Sequence, residues 1–447
     1  MDNARQEEAV TMNDSLTFLF MPESAYGPTN NCIGIGKQLE RRGHRVVFAA
    51  EASWRGRLEP LGFEEDLVDL APPGEGEQDA GQFWTDFVTQ TAPEFRKPTI
   101  EQLDTFIRPV WASLIDGAKY CEPRLREILD RTNPDVIVED NVSAFPALLT
   151  HGAPWVRIMS CNPLEMKDPD LPPTFSGYPT DDPTGWDEFR AEYDRTHREL
   201  WSGFDTWMQD QGAPPLPDLE FIHESMHLNL SIYPDAADYL RSGALASTWH
   251  GLESSVRDTE EPWEVPESLR DHDDDSALVY LSLGSLGSAD VDLMRRLVDV
   301  LSKSRHRYVV SKGPRADEFE LADNMWGDAR VPQTSILPEV DAVITHGGNN
   351  TVTEALHFGK PMVVLPLFWD QYDNAQRMDE LGFGVRLATY DFVDEELTTA
   401  IDGLLGDEVL RASLDALGEL IREAEGTRRA ADLVEDVGRR YREGALA

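Results

Sequence analysis

Short apolar runs bounded by Gly, Pro or Asn recur along the 447-residue chain, and stretches with helical spacing separate them. Runs at 16–21, 45–50, 135–139, 155–159 and 228–233 have the length and composition of buried strands, and the first two flank a helix ending at Arg41-Arg42-Gly43-His44. A second series follows at 278–283, 307–311, 342–345, 362–365 and around Val385. Strands alternating with helices predict an α/β fold with mainly parallel, doubly wound sheets. Two series predict two facing Rossmann-like domains, at 15–240 and 276–429, with a cleft between them. Residues 241–275, with Pro262, Pro266 and Asp273-Asp274-Asp275, read as the linker. Residues 1–14 read as a disordered start, 72–82 and 168–187 as loops, and 430–447 as a closing helix. The pair Gly34-x-Gly36 falls inside the first helix, not at a strand-to-helix turn, which argues against a dinucleotide fingerprint.

Composition narrows the class. The chain carries 83 acidic against 40 basic residues, a net charge of −43. Such a surface repels phosphate, so no nucleic acid and no anionic membrane is expected as partner. Lysine occurs only at 37, 97, 119, 167, 303, 312 and 360. An acidic, Lys-poor surface suits strong brine, and a halophilic source is expected. Cys32, Cys121 and Cys161 form no CxxC or Cys/His pattern and read as buried thiols of a reducing cytosol. No apolar run approaches the roughly 18–20 residues of a membrane span, and the start lacks a signal-peptide pattern. A soluble, cytoplasmic protein is expected.

The densest chemistry lies at 331–377. Residues 341–345 form a strand-length apolar run, His346-Gly347-Gly348-Asn349-Asn350-Thr351 turns the chain, and 352–358 has helical spacing. Glycines allow close approach of a ligand, Asn350 and Thr351 can cap the helix, and a helix start favours an anion. His346 adds a donor. A second loop, Ser282-Leu283-Gly284-Ser285, ends another strand. The strand at 361–366 leads to Asp370-Gln371, polar groups suited to sugar hydroxyls, with Trp369 beside them. No Asp-x-Asp metal pattern follows a strand, Asp273 to Asp275 reads as a solvated charge run, and the helix-end and His donors make a metal unnecessary.

At these residues the chain resembles the family-1 UDP-glycosyltransferases, the bacterial macrolide-type enzymes and their plant and animal relatives. Pro332-Gln333, Thr345-His346, Gly348, Asn350, Glu354, Gly359, Pro361-Met362, Asp370-Gln371 and Asn374-Ala375 stand at the family's spacing, with Thr351 at the usual Ser. Arg330 stands where many members have a Trp that stacks on uracil. The resemblance implies the GT-B architecture, with an acceptor-binding first domain, a nucleotide-sugar-binding second domain and a last helix crossing back to the first. It implies that Gln333 contacts uracil, Glu354 the ribose, and Asp370 with Gln371 the sugar, leaning toward glucose. Ser285, His346, Gly348, Asn350 and Thr351 would hold the diphosphate. The donor is then a UDP-sugar substrate, with no cofactor.

Members of the family carry a catalytic His sixteen residues before a second His. Sixteen residues before His44 stands Pro28, with the family's Asn kept as Asn30. Proline cannot accept a proton. Asp140, which stands at the family's dyad acid, is retained and could act directly or through a water; Glu23 and Glu139 are weaker stand-ins. Some animal members with Pro or Asn here glucosylate amines, so phenol, amine and alcohol acceptors stay open. His151, His197, His223, His227 and His250 have no spacing that singles one out. Six of the eleven tryptophans (84, 111, 155, 186, 201 and 207) lie in 80–210 with Phe83, Phe87, Phe95, Phe106, Phe175 and Tyr178. About two-thirds of such aromatics would serve core packing, and the rest suit a hydrophobic acceptor pocket. The expected activity is inverting transfer of a hexose from UDP to an apolar small molecule. The alternative is a catalytically silent nucleotide-sugar-binding relative, a sensor or partner subunit; an epimerase and a nicotinamide dehydrogenase fit less well.

Overall fold

The computed structural model describes residues 15–72, 91–270 and 275–446. The start at 1–14, most of the loop 72–82, Trp84 with Phe83 and Phe87, and Asp273-Asp274 lie outside the described residues.

The first sheet contains β1 Thr17–Pro22, β2 Arg45–Phe48, β3 Glu64–Glu65, β4 Val136–Asp140, β5 Trp155–Met159, β6 Leu228–Ser231 and β7 Trp249–Gly251. Its order is β3-β2-β1-β4-β5-β6-β7, all pairs parallel. A parallel sheet needs cover on both faces, which is why its central strands are apolar throughout. Phe18, Phe20, Val136 and Val138 face one way, onto Ile33, Ile35 and Leu39 of α1 (Tyr26–Arg41). Leu19, Val47 and Ile137 face the other, onto Leu125, Ile128 and Leu129 of α2 (Arg108–Thr132). A long helix, α3 (Trp186–Asp210), adds Phe189 and Phe204 to the aromatic packing beside it.

The second sheet contains β8 Leu278–Ser282, β9 Arg307–Ser311, β10 Met325–Asp328, β11 Ala342–Thr345, β12 Met362–Val364 and β13 Gly384–Arg386, in the order β10-β9-β8-β11-β12-β13, again all parallel. Helices α4 (Asn349–His357) and α5 (Gln371–Glu380) follow β11 and β12. The last helix, α6 (Gly426–Arg442), returns to the first sheet, where Ala430, Ala431, Val434 and Val437 join Phe18 and Val138. Gly426 permits this docking, because a Cβ there would collide with the carbonyls of Leu252 and Ser254.

Three strands differ from the sequence reading. Edge strands β3 and β10 lie outside the apolar runs, and β7 falls inside 241–275, so that stretch also extends the first sheet. Edge strands bury one side at most and need no continuous apolar run.

Candidate active site

In each sheet the strand order reverses at one place, between β1 and β4 in the first and between β8 and β11 in the second. Ligands of doubly wound sheets bind beyond the strand ends at such switch points. The loops singled out from sequence stand there: Asp140 ends β4, Gly284 and Ser285 follow β8, and His346 follows β11.

After β11 the chain turns through Gly347, at φ +86°, and Gly348 becomes the N-cap of α4. Neither Asn350 nor Thr351 caps the helix, contrary to the sequence reading; both fall in its first turn, and no side chain caps it. Asn350 instead reaches the first sheet's half. Its Nδ2 donates to the Gly27 carbonyl at 3.0 Å, and its Oδ1 accepts from Asn31 Nδ2 at 2.9 Å. The His346 ring packs over two glycines: a Cβ at Gly348 would stand 2.5 Å, and one at Gly284 2.7 Å, from Nε2. Burial lowers the His346 pKa to about 4, against a pull from the Ser282 backbone, so the ring is neutral at pH 7. Ser285 lies exposed in a single turn, Gly284–Gly287.

Below this loop sits a polar cluster. Gln333 Nε2 donates to Glu354 Oε2 at 2.6 Å and lies 3.5 Å from Thr351 Oγ1, while Tyr280 donates its hydroxyl proton to Gln333 Oε1 at 3.0 Å. Arg257 Nη1 donates to Glu354 Oε1 at 2.8 Å and also pairs with Glu260. Glu354 is 2% exposed, and burial raises its pKa while Arg257 pulls it down. Arg330 is exposed and donates to Tyr26 Oη at 3.3 Å, across from Trp54.

Asp370, just before α5, accepts the Asn162 backbone N–H at 2.9 Å. Burial pushes its pKa up to about 7. Gln371 Oε1 accepts from the N–H groups of Leu367 (3.1 Å) and Phe368 (3.2 Å). Asn374 links three segments: it accepts from Asn162 Nδ2 at 2.8 Å and Tyr233 Oη at 3.2 Å, and donates to the Gly347 carbonyl at 2.9 Å.

Pro28 lies in the first turn of α1, where a missing N–H costs no helical hydrogen bond. Glu23 is occupied at the same helix start, accepting from Ala25 N–H at 2.7 Å and Ser24 Oγ at 2.8 Å. Alternation along β4 turns Glu139 to the opposite face from Asp140. Asp140 is 2% exposed and accepts from Ser160 Oγ at 2.7 Å. Burial raises its pKa to about 7, with the Ser160 hydroxyl and the Asn31 amide pulling the other way.

Between the halves lies a narrow recess, a cavity of about 20 Å³, bounded by Trp111, Phe175, Tyr193, Phe221, Trp369 and Asp370. Trp111 stacks on Phe221 at 4.2 Å, and Trp369, at φ +58°, packs on Phe175 at 4.5 Å. Phe95 and Phe106 are core, packed on Phe368 at 4.9 and 5.3 Å. His197 is stacked on Tyr193 and buried, and His223 bonds the carbonyls of Pro214 and Pro215. Sequence reasoning missed Asn31, Ser160, Asn162 and Arg257. Asn31 is one polar position inside a helix and the other three are single residues in loops and a linker, so none gives a periodic signal.

Residues 260–424 match the family model described as UDP-glucoronosyl and UDP-glucosyl transferase. The NDP-glycosyltransferase YjiC of Bacillus subtilis is 23% identical over 414 residues, covering 92% of this chain and 94% of that one. The oleandomycin glycosyltransferase of Streptomyces antibioticus is 26% identical over 423 residues, covering 92% and 88%. Among solved structures, the glycotransferase of kitacinnamycin superposes with a TM-score of 0.67 at 22% identity, over 95% of this chain and 99% of that one. The calicheamicin glycosyltransferase CalG4 gives 0.65 at 18%, over 95% and 98%. The chain has the GT-B fold of these solved glycosyltransferases, two facing Rossmann-like domains. The match to the family model lies in the half of the chain that carries the β11 loop and Asp370-Gln371.

Proposed function

We propose that this enzyme moves a hexose, glucose by the Asp370-Gln371 pair, from a UDP-sugar to a hydrophobic small-molecule acceptor with inversion at C1. The observation that carries the reading is the meeting of two switch points at one seam. Asn31 bonds Asn350 and the Asn162 backbone bonds Asp370, which brings the donor box against the strand that ends in Asp140.

The start of α4 supplies N–H groups and a positive dipole end for the diphosphate. His346, neutral, acts as a fixed donor together with Asn350, Thr351 and Ser285, and no metal is required. Preorganised donors of this kind each contribute about 10²–10³ in rate. Gln333 meets the base, Arg330 replacing the usual Trp beside it. Gln333 also holds Glu354 toward the ribose. The amide NH₂ of Gln371, whose Oε1 is held by its own loop, faces the sugar, and the Asp370 carboxylate does so once domain motion frees it from Asn162. The acceptor lies in the aromatic recess and attacks C1 as UDP leaves. Asp140 removes the acceptor's proton, since Glu23 is tied to a helix start and Pro28 has no basic atom. Relatives named for macrolide and sterol acceptors favour an apolar aglycone. No helix among the described residues is long and apolar enough to cross a membrane, which fits a cytoplasmic enzyme.

The test is incubation with UDP-glucose and mixed phenol, amine and alcohol acceptors. A mass gain of one hexose, with an inverted anomeric signal by NMR, is expected. UDP binding without transfer or donor hydrolysis would instead establish the silent relative, which the loss of a His at Pro28 favours.

A further inference from the structure

The segment Ser160-Cys161-Asn162, directly after β5, touches both carboxylates of the proposed site. Ser160 Oγ donates to Asp140 Oδ1 at 2.7 Å, Cys161 lines the aromatic recess, and the Asn162 N–H donates to Asp370 Oδ2 at 2.9 Å. Ser160 is half-buried, whereas Asp140 behind it is buried. Among the described residues nothing donates a hydrogen bond to Ser160 Oγ, so its lone pairs are open. Val142 and Cys161, flanking the pair, line the recess that would hold the acceptor. A hydroxyl whose proton is committed to a buried carboxylate, and whose oxygen is uncommitted, has the geometry of a proton relay.

We propose that Ser160 is a catalytic residue of the transfer, carrying the acceptor's proton to Asp140 in place of the missing imidazole. The inference rests on the reading of Asp140 as the terminal base. As the acceptor oxygen bonds to C1 of the sugar, the C1–O bond to UDP breaks and UDP leaves with the electron pair. The acceptor's proton passes to Ser160 Oγ while the Ser160 proton passes to Asp140 Oδ1. One proton thus moves from acceptor to Asp140, and Ser160 ends as it began. The groups around Asp140 include Glu23 just after β1, Asn31 and Cys32 of α1, Glu139 beside it on β4, and Cys161 and Glu165 from the segment after β5. Glu23 is bound at a helix start and Glu165 to Arg157, and neither offers a shorter path.

The experiment compares wild type, Ser160→Ala, Ser160→Thr and Asp140→Asn on an aliphatic alcohol and on 4-nitrophenol, which is already acidic. For the alcohol, Ser160→Ala should lose about 10²-fold or more in kcat, within the range of general-base catalysis, with donor KM unchanged. The loss on 4-nitrophenol should be under about tenfold, because its proton needs little help. Ser160→Thr, which keeps the hydroxyl, should restore most of the alcohol activity. A Ser160→Ala enzyme within about twofold of wild type on the alcohol, or equally impaired on both acceptors, would overturn the relay. An active Asp140→Asn enzyme would overturn the terminal base as well. Loss in Asp140→Asn with Ser160→Ala intact would remove Ser160 alone. A wild type inert on both acceptors would overturn both readings.

Discussion

Arg257 holds Glu354 from the stretch that joins the two sheets, with only 8% of its surface exposed. Removing one member of a buried ion pair leaves the other charge uncompensated, at a cost of about 3–5 kcal/mol. Arg257→Met should therefore lower the thermal midpoint markedly, as followed by circular dichroism; an unchanged midpoint would show that Glu354 is carried without it. Nothing in the sequence singles out Arg257, since a lone Arg in a Pro-rich linker has no periodicity. His346, Gly348, Glu354 and Asp370 were legible, because their spacing couples a strand end to a helix start. Their present partners were not legible. Asn350 and Asp370 bond groups more than 200 positions away in sequence, and only folding brings those groups near.

At the scale of elements, α5 is gripped by the loop that precedes α3. Asp373 accepts the backbone N–H groups of Phe175 at 2.6 Å and Gly177 at 2.8 Å, and Glu380 accepts the backbone N–H and the hydroxyl of Thr180. Burial raises the Asp373 pKa to about 8, so these are largely bonds to a neutral carboxyl, worth about 0.5–1.5 kcal/mol each. In Asp373→Ala the loop should be released, and limited proteolysis within 168–185 should accelerate at least about tenfold. Cleavage at the wild-type rate would mean that the loop is held by its aromatic contacts alone. The central strands were readable as apolar runs because both of their faces are covered. Strands β3, β7 and β10 were not, being short and at or near an edge. Of the described aromatics, Phe95, Phe106, Trp111 and Phe175 are all buried in one core cluster, and Trp111 and Phe175 also border the recess.

For the whole molecule, charge is the dominant variable. Burial raises the pKa of Asp140 and Asp370 to about 7 and that of Glu139 to about 8. Each is raised above its unfolded value, so the folded chain keeps protons that the unfolded chain releases above about pH 4. Their contribution is full below that pH and is lost as pH climbs through 7 to 8. The thermal midpoint should thus be higher at pH 6.5 than at pH 8.5, with a shallower slope in Glu139→Gln, while below pH 6.5 the buried His197, His346 and His357, lowered to about 4, oppose the trend; a midpoint that rises from pH 6.5 to 8.5 would contradict this. The net charge of −43 adds self-repulsion that salt screens. We propose that the chain is adapted to brine and that molar KCl raises the midpoint, whereas equal stability without salt would remove that proposal.

We propose that the β11 loop and the start of α4 bind the diphosphate of a nucleotide sugar. It is tested most directly by isothermal titration of UDP into wild type and Gly348→Ala, in molar KCl. A Cβ at position 348 would stand 2.5 Å from His346 Nε2 and displace the ring. Saturable UDP binding by wild type is expected, weakened about tenfold or more in the variant, the equivalent of one charge-assisted hydrogen bond. Absence of binding by wild type, or equal binding by both proteins, would contradict it.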